Sequence, residues 1–159
     1  MADWIGSSRT NYFHVKDAQA FKEAMSALDV EVWDNAEDAT LFGLGCGEWS
    51  DGSWPSYDVE EEVDFDFIDK VWPHLADGEV AVFETIGAEK LRYLTGHATA
   101  VDHTGARVDI DIRDIYELAK RQLNATHITC ARGSKYDREN PYLPGVRLVR
   151  HERTNGRHR

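Results

Sequence analysis

Apolar residues at Ala18, Phe21, Ala24, Met25 and Leu28 recur three and four positions apart, which predicts an amphipathic helix over residues 18–28 with Asp17 as its N-cap. A second helical stripe runs through Phe65, Ile68, Val71, Trp72 and Leu75, and Pro73 is expected to kink that helix or end it early. Asp64 and Asp66 stand where they would begin it. A third follows over Arg113–Leu123, with Ile115, Leu118, Ala119 and Leu123 as its apolar positions and Lys120 and Arg121 near its C-terminal end.

Between these stretches the period falls to two. Thr10–Lys16 alternates in part and reads as a first strand. Val30–Trp33 and Thr40–Leu44 read as a hairpin around the polar turn Asn35–Asp38. Glu79–Ile86, Leu91–Val101 and Arg107–Ile112 read as an antiparallel meander. In its last strand Val108, Ile110 and Ile112 share one face, while Asp109 and Asp111 share the other, which is expected to be the wet one. The order β-α-β-β-α-β-β-β-α predicts an α+β fold: a mostly antiparallel sheet with helices packed on one face, in a partly ferredoxin-like order. Beyond Asn124 the pattern fades to one short strand, Val146–Val149, and the last eight residues read as disordered.

The expected division is a single acidic domain over residues 1–124 and a basic extension over 125–159. The first part holds 26 acidic and 10 basic side chains, whereas the second holds 3 and 8, within a net charge of −11. Such an acidic body repels nucleic acid and anionic membranes and steers toward basic proteins. No run of eighteen apolar residues and no basic-then-apolar leader occurs, so a cytoplasmic setting is expected. Cys46 and Cys130 form no Cys-x-x-Cys pair and read as reduced thiols.

The densest chemistry lies between Glu48 and Asp69, EWSDGSWPSYDVEEEVDFDFID. A solvated loop needs the carboxylates without the tryptophans, and a core segment needs the tryptophans without the carboxylates. Glu48, Trp49, Asp51, Trp54, Tyr57, Asp58, Glu60, Glu61 and Glu62 are therefore the candidate partner-binding residues. Spaced carboxylates compete for Lys and Arg side chains that otherwise hold phosphates, and aromatic rings add the apolar anchors that charge lacks.

Catalytic motifs are missing from this picture. GLGCG at 43–47 lacks the spacing and the lysine of a phosphate cradle. His127 and Cys130 supply two metal ligands where a structural zinc needs four. No Gly-x-Ser-x-Gly elbow occurs. Alternating Asp109 and Asp111 read as solvated acids rather than as a cation site. No catalytic residue, metal or cofactor is assigned.

Trp4 to Asp17 (WIGSSRTNYFHVKD), Asp77 to Val82 (DGEVAV) and Glu89 to Leu94 (EKLRYL) resemble a group of small acidic proteins carried by phages, plasmids and integrative elements. The resemblance covers most of residues 4–120 and implies a mobile-element setting. Small acidic proteins of that setting look like anti-CRISPR or anti-restriction inhibitors, which place carboxylates where phosphates would sit. The partner expected on this basis is a basic protein surface, such as that of a nuclease or of a CRISPR or restriction complex. An immunity protein for a basic toxin and a small enzyme with a site near 46–57 remain the alternatives.

Overall fold

A computed structural model describes residues 4–89 and 93–123, with no account of the side chains of Glu89 and Tyr93. The basic extension, its strand at Val146–Val149, and the His127 and Cys130 pair lie outside the described residues. Chain order is β1 (Trp4–Thr10), β2 (Phe13–His14), α1 (Ala18–Ser26), β3 (Val30–Asp34), β4 (Leu41–Cys46), β5 (Tyr57–Asp58), β6 (Val63–Asp64), α2 (Phe67–Val71), a 3-10 turn (Trp72–His74), β7 (Val80–Glu89), β8 (Tyr93–Asp102), β9 (Arg107–Asp111) and α3 (Asp114–Gln122). The fold is α+β, built on a seven-stranded antiparallel sheet.

Across the sheet the order is β3-β4-β1-β7-β8-β9, with β2 beside β1 on the same edge of β4. α1 carries the chain from β1 to β3, and β4 lies between those two strands. The β3–β4 hairpin is as expected, with Val32 opposite Leu44. α1 starts where its pattern predicts: the Asp17 carboxylate accepts hydrogen bonds from the backbone N–H groups of Gln19 and Ala20. α2 is shorter than the 65–75 stripe. It runs for five residues and passes into the 3-10 turn at Pro73, the residue expected to end it. Asp66 caps α2, whereas Asp64 belongs to β6.

Phe21 and Met25 of α1 and Phe67 and Val71 of α2 meet Phe13, Phe42, Leu44, Leu75, Ala81, Phe83 and Val101 in one buried cluster. Both helices therefore cover the same face of the sheet. The aromatic rings interlock edge to face, with Phe13 and Phe21 5.9 Å apart at 84°.

The first strand begins six residues earlier than the alternation indicates. Its inward positions are Gly6, Ser8 and Thr10, which give no apolar signal. Small polar residues suit this place because a loop packs directly on them. Ser8 Oγ donates to the carbonyl of Gly52 at 2.6 Å, and Thr10 Oγ1 accepts from the Leu44 N–H at 2.8 Å. Each buried hydroxyl is thus satisfied. Gly52, at φ +92°, brings its backbone onto Gly6 so closely that a Cβ there would stand 2.1 Å from the Gly6 carbonyl carbon.

The faces of β9 differ from the expected assignment. Val108, Ile110 and Ile112 point away from the helices and are exposed, whereas Asp109 lies on the helix side, where it accepts a 2.5 Å hydrogen bond from Thr99 Oγ1. Among the described residues no helix covers the other face of these strands, so the apolar side of the alternation has nothing there to pack against. α3 buries none of its residues.

Candidate protein-binding site

The acidic segment leaves β4 at Cys46 and turns at once, with Ser50 Oγ and its N–H both donating to the Gly47 carbonyl. Gly52 then docks on β1, and Trp54 folds inward. The Trp54 ring stacks on Phe67 at 5.0 Å and 15° and meets Phe83 edge-on at 5.5 Å. Its indole N–H is buried without a hydrogen-bond partner among the described residues. Trp54 is therefore a half-buried core residue, whereas Trp49, at the turn, is 87% exposed.

After Pro55 the chain forms a small hairpin that sequence reading treats as a loop. Tyr57 pairs with Asp64 and Asp58 with Val63. The Asp58 carboxylate accepts from the N–H groups of Glu60 and Glu61, at 2.9 and 3.0 Å, which folds the tip into an Asx turn. Glu62 completes the tip in a left-handed conformation, φ 54°. The Glu60, Glu61 and Glu62 side chains are all exposed, with Tyr57, Val59 and Val63 exposed beside them.

The carboxylates separate by task. Asp58 holds the tip. Asp66 caps α2 and, with Asp69, takes a fork of hydrogen bonds from Arg107, which lies in β9. Asp69 also accepts from the Trp72 indole N–H. Glu48, Asp51, Glu60, Glu61, Glu62 and Asp64 make no ion pair among the described residues and face solvent. Of the nine candidate residues, Tyr57, Asp58, Glu60, Glu61 and Glu62 stand on the hairpin arm, Glu48, Trp49 and Asp51 stand exposed in the stretch that leads to it, and Trp54 anchors the segment from below.

A cleft of about 420 Å³ runs along the base of the arm, between Asp51, Ser53 and Tyr57 on one side and Asp29 on the other. Asp29 comes from the turn before β3, and its carboxylate lies against Gly47. Nothing in the local pattern marks Asp29, because its place in the site arises only when β3 and β4 pair. Two carboxylates with a tyrosine ring alongside suit a guanidinium, which offers donors in a plane and a face for stacking.

Other polar groups are engaged elsewhere. His14 Nδ1 lies 3.0 Å from Glu79 and Nε2 lies 3.2 Å from Asp38. The hydrogen bond to Glu79 raises the His14 pKa, with Asp38 adding to the effect. Asp111 accepts from the Arg113 N–H. Cys46 is a free thiol. Among the described residues, no three His, Cys, Asp or Glu side chains are placed to hold a metal ion, and no helix is long and apolar enough to cross a membrane. Comparison of the chain with family models, curated proteins and solved structures returned no match.

Proposed function

We propose that this chain is an acidic inhibitor that occupies a basic, phosphate-holding surface of a nucleic-acid-handling defence complex, of the anti-CRISPR or anti-restriction kind. The observation that carries the reading is the arm itself. Glu60, Glu61 and Glu62 sit together at a hairpin tip whose backbone is held by Asp58, with Tyr57 exposed on the same hairpin and Trp49 exposed in the turn after β4. A preorganised tip loses less conformational freedom on binding than a loose acidic loop does. Exposed carboxylates speed encounter with a basic surface, and Trp49 supplies contact area that resists dissociation. The cleft between Asp29 and Asp51 would receive one arginine of that surface.

The test is affinity capture from a host lysate at low and high salt, followed by competition on the captured complex. The wild type is compared with a Glu60→Lys, Glu61→Lys, Glu62→Lys triple variant and with Trp49→Ala. The reading expects a nuclease or defence complex whose binding falls with salt, is displaced by that complex's own DNA or RNA, and is lost in the triple variant. Equal affinity with and without nucleic acid, or undiminished capture by the triple variant, removes it.

A further inference from the structure

Among the described residues, the sheet has one covered face and one bare one. On the bare face Ile5, Ile86, Leu94, Val108, Ile110 and Ile112 are each between 53% and 69% exposed. The register gathers them. Ser7 lies opposite Ile86, Ile86 opposite Gly96, Ala88 opposite Leu94, Ala98 opposite Ile110 and Ala100 opposite Val108. A shallow depression of about 430 Å³ crosses the field, lined among others by Ile86, Ala98, Ile110 and Ile112. Trp33 and Tyr12 extend the same face across β3 and β4, where Trp33 lies over Gly45 so closely that a Cβ would stand 2.6 Å from the ring. Isolated exposed aliphatics are ordinary, but a contiguous field of this kind is not.

We infer that this face is the interface of a two-fold homodimer, in which two copies of the sheet pack face to face as a sandwich. Size is the first argument. Six strands about 4.8 Å apart, seven residues long at about 3.3 Å each, give a flat footprint of roughly 650 Å². Side-chain relief brings that close to the roughly 800 Å² per partner of a stable interface.

Charge is the second argument. On a chain of net charge −11, the field contains Arg9 and Glu84, which stand opposite each other in the β1–β7 register. A two-fold axis running between β1 and β7 would set Arg9 of one copy against Glu84 of the next, and the reverse. The acidic segment lies on the other side, tied to the inward face of β1 through Ser8 and Gly52, and Asp109 also points that way. Packing the bare faces therefore turns most of the negative charge outward, where salt screens it. A basic partner is better suited to the acidic side than to this face, where Glu84 and Glu31, the latter bonded to the Trp33 indole, stand beside Arg9. α3, which follows β9 at the sheet edge, buries none of its own side chains, so nothing in the described fold covers this end.

Sedimentation of the full chain across a dilution series tests this, with Ile86→Lys and Ile110→Lys as variants. Both positions are exposed, so the fold should survive, as circular dichroism would show; Ile112→Lys, beyond the end of β9, is the reserve. The wild type is expected at twice its 18.1 kDa chain mass and to dissociate on dilution. The variants are expected to self-associate roughly a hundredfold or more weakly, because each buries an unpaired charge. A wild type at single chain mass throughout overturns the inference, whether its own C-terminal residues or another protein covers the face. A dimer undisturbed by the variants overturns it as well. Neither variant touches the acidic arm, so this result is separate from the capture experiment.

Discussion

Replacing Trp54 by Ala separates a structural tryptophan from a binding one. The ring stacks on Phe67 and meets Phe83 edge-on, so the substitution removes two aromatic contacts and opens a void beneath the arm. Buried Trp→Ala changes cost about 3–5 kcal/mol. Trp54 is half-buried, which places the expected loss near the lower end, about 3 kcal/mol. For a chain of this size that lowers the melting temperature by roughly 10 °C. Trp54→Phe should cost much less, because it keeps an aromatic ring against Phe67 while removing an indole N–H that has no partner among the described residues. Trp49→Ala, at a ring 87% exposed, should stay within about 0.5 kcal/mol of the wild type. Urea denaturation followed by circular dichroism measures all three. If Trp54→Ala proves as stable as Trp49→Ala, the argument that Trp54 anchors the arm is wrong.

Gly52→Ala should destabilise by about 3–5 kcal/mol, combining left-handed strain, a clash with Gly6 and a weakened Ser8 hydrogen bond; a melting curve unchanged from wild type would refute the close approach. Asp66→Ala should cost about 1–2 kcal/mol by removing the α2 cap and one arm of the Arg107 fork, whereas Arg107→Ala should cost under about 1 kcal/mol; denaturant midpoints of the two variants rank them. His14, with its pKa raised by Glu79 and Asp38, stabilises the fold fully below about pH 6.5 and loses that contribution as pH climbs through its higher folded value. Glu79, lowered chiefly by the His14 N–H, contributes above about pH 4.5 and loses it in acid, while burial lowers the His74 pKa and opposes His14 as pH falls. His14→Gln should therefore remove the wild type's relative gain as pH falls through the raised folded value toward about 6.5, read as the difference between the two melting-temperature profiles.

Local pattern carries some elements and misses others for definite reasons. The α1 stripe and its Asp17 cap are readable because period and cap chemistry act within a few residues. The β3–β4 hairpin and the β7–β9 meander are readable for the same reason. β1 is hidden because its inward side chains answer to Gly52, some forty residues away, and not to an apolar core. In β9, alternation identifies the two faces but not which one the helices cover, so Val108 and Ile110 read as core and are exposed. Trp49 and Trp54 are alike by composition, and only Phe67 and Phe83 distinguish them. The acidic arm is legible as chemistry, but its hairpin shape is not, because two-residue strands carry too little pattern to read.

The position of β1 also sets the order in which the protein can assemble. β1, which precedes the other described strands in the chain, lies between β4 and β7, and its continuous partner is β7, with Trp4 opposite Glu89 and Thr10 opposite Phe83. Those pairs are about 70–85 residues apart in the chain, so closing them carries a large loop entropy and makes folding slow. Until residue 89 has emerged, β1 has one unsatisfied edge, and the helices α1 and α2 have only part of a sheet to cover. The chain is therefore built to fold late and as a whole.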